Sequence, residues 1–175
     1  MTTQTPDVRT QLDQFRTDGG DTLLDLSNQG PVLLVFLRHF GCTFCREAMA
    51  DLARDRDRLK AAGVLLVLVH MATTAIGAEH LARYQLAGAA HVSDPQQALY
   101  KAFGLQRGTL GQLFGWKSFT RGFKAGILDG HLVGGMVGDG FQMPGVFLLR
   151  DGRVEAGFVH ESAADRPDYC ALAGG

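Results

Sequence analysis

Residues 31–59 decide the fold of this chain, and their sequence is PVLLVFLRHFGCTFCREAMADLARDRDRL. The first seven residues form a continuous apolar run, as expected for a strand that is covered on both faces. From Cys45 onward, apolar residues recur at helical spacing, which predicts a helix that ends at Gly63. The motif Cys42-Thr43-Phe44-Cys45 opens this helix. Two cysteines with this spacing, near a strand–helix–strand pattern, are typical of a thioredoxin-like redox site.

The other elements are predicted from periodicity and from turn residues. A second apolar run at residues 64–69 completes a strand–helix–strand unit, which implies parallel strands with a right-handed crossover. Asp151-Gly152 is a two-residue hairpin turn between a strand at residues 146–149 and a strand at residues 153–160. Further expected elements are a helix before Asp18, an edge strand at residues 22–26, a helix at 74–86, a strand at 89–92 and a helix from Ser93 to about Phe103.

These elements predict an α/β fold with a mixed central sheet flanked by helices. One domain is expected over residues 21–160, preceded by an N-terminal helical extension at residues 1–20 and followed by a polar tail at 161–175. A glycine- and aromatic-rich insertion at residues 105–140 comes before the last hairpin, and we interpret it as a broken helix and a loop.

The composition narrows the class of protein. Hydrophobic residues make up 46% and charged residues 20% of the 175, which is ordinary for a soluble globular protein. The net charge of -1 does not favour nucleic acid or a membrane surface as a partner. Three cysteines are too few for a disulfide scaffold and fit a reducing compartment. Without a signal peptide or a membrane-spanning run, a cytoplasmic location is expected.

The two cysteines are expected to have different roles. Cys42 lies where the helix begins, so unpaired backbone N–H groups and nearby positive charge from Arg38, His39 and Arg46 would favour its thiolate form. Cys45 falls on the apolar face, where a buried thiol is close enough to resolve an oxidised Cys42.

Competing interpretations of the cysteine pair remain open. The pair could be zinc ligands together with His39 and His70, although a closed site needs about four ligands. The two residues could also be ordinary core cysteines. Cys170 is interpreted as an unpaired cysteine in a polar tail, rather than as a partner in an intersubunit disulfide.

Three segments resemble the peroxiredoxin-like 2 branch of the alkyl hydroperoxide reductase/thiol-specific antioxidant (AhpC/TSA) superfamily. They are residues 36–47 (FLRHFGCTFCRE), 138–147 (GDGFQMPGVF) and 163–168 (AADRPD). The resemblance implies a thioredoxin-like fold with a redox-active Cys42–Cys45 pair. In such a fold, Pro144 takes the place of the cis-proline that faces the redox helix, although spacing alone does not assign its isomer. A proline at the start of an edge strand is the alternative. Other substrate-side or structural positions would be Met143, His39, Phe40, Thr43 and Phe44.

The expected function is reduction of peroxides through a dithiol–disulfide cycle, without a metal or other cofactor. Cys42 would be the nucleophile and Cys45 the resolving thiol, with Arg38 or Arg46 stabilising charge. A thioredoxin- or glutathione-type thiol would be the reductant, and a homodimer is compatible with the sequence. Typical peroxiredoxins have Thr three residues before the nucleophile, but His39 occupies that position here. A protein disulfide reductase, or a non-catalytic redox-sensing or metal-binding module, is therefore the alternative.

Overall fold

The computed structural model describes residues 8–41, 43–109, 139–161 and 165–174. Its strands are β1 (Val32–Phe36), β2 (Leu65–His70), β3 (Ala90–Ser93), β4 (Gly145–Arg150) and β5 (Arg153–Val159). Its helices, in chain order, are α1 (Val8–Gln14), α2 (Leu23–Gln29), α3 (Thr43–Ala61), α4 (Thr74–Arg83), α5 (Ala98–Ala102) and α6 (Tyr169–Leu172). Most of the predicted elements are confirmed, while the predicted broken helix at residues 105–140 lies largely outside the described residues.

The sheet is mixed, as the sequence predicts. Its strand order is β3-β2-β1-β4-β5; β1, β2 and β3 run parallel, and β4 is antiparallel to both of its neighbours. All five residues of β1 are buried. Leu33 and Val35 pack in one apolar cluster with Met49 of α3, whereas Val32, Leu34 and Phe36 pack in another on the opposite face with Tyr100 of α5. The central strand is therefore covered on both faces.

The carboxyl end of β1 is held by a tyrosine. Tyr100 is fully buried, and its hydroxyl donates to the carbonyl oxygens of Leu37 and Val69 at 2.5 and 3.1 Å. These bonds join the ends of β1 and β2 immediately before Arg38. The start of the junction between β1 and α3 is thus fixed by the core.

The predicted edge strand at residues 22–26 is wrong, because this segment forms helix α2. Thr22 caps the helix, with its hydroxyl accepting from Asp25 N at 3.0 Å. Leu23 and Ser27, four residues apart, are the buried positions, and this is a helical period. The hydrogen bond at the start of the helix and the burial of its Leu23–Ser27 face together outweigh the weak strand propensity of this leucine-rich segment.

Helix α5 begins later than predicted, at Ala98 rather than near Asp94. Gln97 adopts a left-handed conformation with φ 57°, which separates the turn after Pro95 from the helix. Asp94 still caps the helix, because its carboxylate accepts from the backbone N–H groups of Ala98 and Leu99 at 3.0 and 2.8 Å.

Replacing Asp94 by alanine is expected to lower the free energy of unfolding by about 2 kcal/mol, because buried N–H groups lose their acceptor. Urea unfolding measures this change. Asp94→Asn is the matched variant, since it retains one acceptor oxygen and should lose less. Equal urea midpoints for Asp94→Ala and the unsubstituted protein would contradict this account.

The hairpin turn and the C-terminal segment complete the fold. At the tip of the β4–β5 hairpin, Asp151 and Gly152 have φ values of 50° and 70°, which confirms the predicted two-residue turn. Helix α6 buries Tyr169 and Cys170, so the polar tail is packed at this point, while Cys170 is a free cysteine in this chain, as predicted. No helix in the described ranges is long and apolar enough to cross a membrane.

Candidate functional site

Helix α3 begins directly after Cys42, which confirms the predicted strand–junction–helix layout around the cysteine motif. Cys42 itself lies outside the described residues, as does the side chain of Thr43. Cys45, in the first turn, is only 4% exposed, and Met49 and Leu52 continue the same buried face. The sequence prediction that Cys45 lies on the apolar face of the helix is confirmed.

A small pocket, which we call the Cys45 pocket, opens beside this first turn. Its cavity volume is about 20 Å³, enough for roughly one water molecule. Segments far apart in the sequence supply its walls, and the lining residues that bear on chemistry are Arg38, Phe44, Cys45, Pro144, His160, Asp165 and Tyr169. Thus the structure brings Cys45, Arg38, Phe44 and Pro144, four of the predicted site residues, into one cavity.

Arg38 places a buried guanidinium in this pocket. The side chain is only 5% exposed, and Nε donates to the carbonyl oxygen of Gln142 at 3.1 Å while Nη2 donates to that of Gly140. Gln142 is itself fixed, since its amide donates to the carbonyl oxygen of Leu105 at 3.0 Å. These two carbonyl oxygens orient the guanidinium, and the pocket therefore has a positively charged group in its wall. Arg38 can therefore stabilise a thiolate or a leaving oxygen anion.

The structure corrects the predicted charge of His39. This residue is 2% exposed, and burial, followed by the charge of Arg38, lowers the pKa of His39 to about 4, with the charge of Asp139 opposing them. At neutral pH the ring is uncharged, so it adds no positive charge beside Cys42. Within the described ranges, neither ring nitrogen has a hydrogen-bond partner.

Arg46 differs from Arg38 in its position relative to the Cys45 pocket. It is exposed on α3 and is not among the described residues that line the Cys45 pocket. Its charge contributes instead to lowering the pKa of His80, after burial and Arg83. Of the two arginines considered from sequence, only Arg38 has a geometry suited to a role in the pocket.

The predicted aromatic and proline positions divide into two groups. Phe40 faces α4, where its ring stacks on His80 with centroids 4.4 Å apart. Phe44 lines the pocket and packs against Met143, which is 4% exposed. Pro144 lines the same pocket, and the Met143–Pro144 peptide bond is trans. Pro144 therefore lines the same cavity as the first turn of α3, and the resemblance places this proline opposite that helix.

Sequence reasoning missed three residues of the pocket, namely His160, Asp165 and Tyr169. His160 follows β5 and is 8% exposed, and its buried Nδ1 atom accepts no hydrogen bond from the part of the chain that the structure describes. Burial is the main cause of a lowered pKa of His160 and of a raised pKa of Tyr169. These residues follow Cys45 by more than a hundred positions, so no spacing rule connects them with the cysteine motif, although Asp165 belongs to the segment 163–168 that carries the family resemblance.

The C-terminal wall of the pocket is attached to α3 by an ion pair. Arg166 donates from Nε to Oδ2 of Asp51 at 3.0 Å and from Nη2 to Oδ1 at 2.7 Å. Asp51 is 8% exposed, and the bidentate geometry fixes the segment that carries Asp165 and Tyr169. Within the described ranges, no three His, Cys, Asp or Glu side chains are grouped to hold a metal ion.

Comparison with a family model identifies the superfamily. Residues 51–163 match the model described as AhpC/TSA antioxidant enzyme, a span that begins after the cysteine pair. The chain is 33% identical over 78 residues to the thioredoxin-like protein AAED1, chloroplastic, of Arabidopsis thaliana. It is 34% identical over 80 residues to human peroxiredoxin-like 2C. These matches cover 45% and 43% of this chain but 31% and 34% of the relatives, about a third of their length.

Solved structures agree on the fold. Peroxidoxin BcpB of Mycobacterium tuberculosis superposes with a TM-score of 0.59 at 16% identity, covering 86% of this chain and 82% of the other. Peroxiredoxin Q of Xanthomonas campestris gives a TM-score of 0.59 at 15% identity, covering 86% and 83%. With the five-stranded mixed sheet, these similarities confirm the predicted thioredoxin-like fold.

Proposed function

Because this chain belongs to the AhpC/TSA antioxidant enzyme family, we propose that it is a thiol-dependent oxidoreductase that reduces peroxides through Cys42 and Cys45. The observation that carries the proposal is the Cys45 pocket. It brings Cys45, the buried guanidinium of Arg38 and Pro144 together beside the first turn of the helix that Cys42 precedes. A thiolate, a cation and a partly enclosed cavity are what cleavage of an O–O bond requires.

In the first step, the Cys42 thiolate attacks one oxygen of the peroxide. A sulfur–oxygen bond forms, the O–O bond breaks, and Cys42 becomes a sulfenic acid. The departing alkoxide or hydroxide takes up a proton and leaves as an alcohol or water. The N-terminal end of the 19-residue helix α3 favours the thiolate, and Arg38 stabilises the negative charge that develops on the leaving oxygen.

In the second step, Cys45 attacks the sulfenic sulfur of Cys42. A disulfide forms and water leaves, so the two electrons used to reduce the peroxide now come from the cysteine pair. A thioredoxin- or glutathione-type thiol then restores the dithiol by exchange. Burial of Cys45 beside the cavity supports its role as the resolving thiol, because it is shielded from solvent until Cys42 is oxidised.

One observation favours protein disulfide reduction as a second candidate. At the position three residues before Cys42, typical peroxiredoxins offer a threonine, whereas this chain has the buried, uncharged His39. A disulfide substrate does not need that hydroxyl group. In this case Cys42 attacks a substrate disulfide and Cys45 releases the mixed disulfide, so a Cys45→Ser variant would retain the substrate protein covalently.

The decisive measurement is the rate at which the reduced protein loses thiols on mixing with a hydroperoxide, compared with free cysteine. We expect the protein to react about 1,000-fold faster than free cysteine, and Cys42→Ser to lose that advantage. Cys45→Ser should keep the fast first step and accumulate sulfenic acid. Cys170→Ser is the matched control, since Cys170 is packed in the core and should leave the rate unchanged.

Fast peroxide consumption by Cys42→Ser would refute the assignment of the nucleophile. A wild-type rate equal to that of free cysteine, together with a substrate protein trapped by Cys45→Ser, would move the function to disulfide reduction.

A further inference from the structure

We propose that His160 is the base that accepts the proton of the Cys45 thiol, through a water molecule in the Cys45 pocket, when Cys45 attacks Cys42. This inference rests on the resolving role of Cys45 in the proposed function. It applies equally whether Cys42 carries a sulfenic acid or a mixed disulfide, because both intermediates are resolved by the same thiol.

The geometry of the pocket singles out His160. The residue is 8% exposed and lines the same cavity as Cys45, and its backbone N–H donates to the carbonyl oxygen of Pro144 at 3.4 Å. Its buried Nδ1 atom has no hydrogen-bond partner among the described residues. An unsatisfied buried nitrogen is costly, and a water in a cavity of about 20 Å³ could satisfy it. The same water would relay a proton from the cysteine.

The resolving step needs such a base. Only the thiolate form of Cys45 is a competent nucleophile, and a thiol that is 4% exposed has little bulk water to receive its proton. His160 is suited to this task because burial, aided by the charge of Arg38, lowers its pKa below 6.5. The backbone carbonyl groups of Pro144 and Asp165 and the charge of Asp165 oppose this shift. At neutral pH its ring is therefore uncharged and able to accept a proton.

The proposed transfer balances for both intermediates. The proton of Cys45 passes through water to Nδ1 of His160 as the new sulfur–sulfur bond forms. With a sulfenic acid on Cys42, the S–O bond breaks and the leaving hydroxide takes the proton back from the imidazolium, giving water. With a mixed disulfide, the old S–S bond breaks and the released thiolate or solvent takes that proton. His160 ends uncharged in each case.

The other titratable groups facing the pocket are less suited to this role. Tyr169 of α6 stays protonated, because burial raises its pKa further. Arg38, after β1, is a permanent cation. Asp165, in the C-terminal segment, uses Oδ2 to accept the backbone N–H of Glu161 at 2.8 Å. His39 is also uncharged but is not among the described residues that line the cavity.

The test uses the whole protein and an aromatic disulfide, dithiobis-nitrobenzoate, which releases a coloured thiol. Attack by Cys42 releases one equivalent, and attack by Cys45 on the resulting mixed disulfide releases a second. In stopped-flow experiments, His160→Gln should leave the first release unchanged and slow the second by about 100-fold at neutral pH. In the unsubstituted protein, the second rate should rise with pH through an inflection below 6.5, and His160→Gln should abolish that inflection.

Two further variants guard against a purely structural effect. His80→Gln removes a histidine outside the pocket and should leave both releases unchanged. Asp165→Asn removes a negative charge that raises the pKa of His160, so the inflection should move to lower pH. This shift is measurable even if His160→Gln does not fold.

The proposal would be overturned if His160→Gln kept both the wild-type second rate and its pH profile, or if the unsubstituted protein lacked the inflection. Release of only one equivalent would remove Cys45 as the resolving thiol and the inference with it. Because the assay contains no peroxide, failure of peroxide reduction and failure of the His160 role are distinguishable.

Discussion

Replacing Arg38 by methionine is expected to slow the reaction of Cys42 with a hydroperoxide by a factor of about 100 to 1,000. The substitution removes the buried cation of the Cys45 pocket, so neither the thiolate nor the leaving oxygen keeps its positive partner. Methionine has a similar length and fills much of the same volume. Stopped-flow measurement of thiol loss, at several pH values, separates a smaller thiolate fraction from a slower attack.

Arg46→Met is the matched control for Arg38→Met. Both substitutions remove one arginine charge close to the cysteine motif, but Arg46 is exposed, and its field is screened by solvent. We expect Arg46→Met to change the rate of reaction with a hydroperoxide by less than about twofold. The reaction rate of Arg38→Lys should lie between those of Arg38→Met and the unsubstituted protein. Lysine keeps the positive charge but loses the planar guanidinium that donates to the Gln142 and Gly140 carbonyl oxygens.

The account of the site would be contradicted if Arg38→Met reacted at the wild-type rate, or if Arg46→Met had the larger effect. Circular dichroism before kinetics would show whether loss of the Arg38 hydrogen bonds has disturbed the fold.

Acidification from about pH 7 to about pH 4 is expected to lower the free energy of unfolding by about 5 kcal/mol. Burial is the main cause that lowers the pKa of His39 and of His70 to about 4, against the unperturbed value of 6.5. Between these values the unfolded chain binds protons that the folded chain does not, so stability falls as the pH falls. For each histidine, the difference between the pKa values of the folded and unfolded states corresponds to about 3 kcal/mol if the folded structure does not relax.

His70 contributes through a specific arrangement. Its Nε2 lies 2.9 Å from Nδ1 of His91, and the two rings share one hydrogen bond that two charged imidazoles could not keep. A side chain at Gly77 would have no room, because a Cβ there would lie 2.1 Å from His70 Nε2. The packing therefore leaves no space for the solvation that a charged His70 would need.

Urea unfolding across this pH range measures the effect. His70→Gln and His39→Gln should each make the free energy of unfolding less dependent on pH. His80→Gln should change this dependence little, because His80 is more accessible to solvent than His70. If the urea midpoint did not change between neutral and acidic pH, protonation of these histidines would not lower the stability of the folded protein.

Local sequence signals predicted much of the fold but not the walls of the site. The apolar runs of β1 and β2 and the hairpin turn at Asp151-Gly152 depend on nearest neighbours along the chain, and they are confirmed. The strand prediction for residues 22–26 is wrong because the Thr22 hydroxyl caps a helix, and this local signal outweighs the strand propensity of the segment.

The chemistry of the site was less accessible to sequence reasoning. Charge depends on burial, so His39 looked like a cation until its environment was known. Arg38 and Arg46 are equally near Cys42 in sequence, yet only the fold decides which of them enters the pocket. His160 meets Cys45 only through tertiary contacts, and no spacing rule connects a residue after β5 with the first turn of α3.

The ion pair between Asp51 and Arg166 joins residues that are 115 positions apart. During translation, the strand and helix that carry the cysteine motif therefore emerge long before the segment that supplies Asp165 and Tyr169. Until that segment has left the ribosome and packed against α3, Cys45 is not covered by Asp165 and Tyr169. The nascent chain thus passes through an interval in which the Cys45 thiol is open to oxidants and chaperones, and docking of α6 brings that interval to an end.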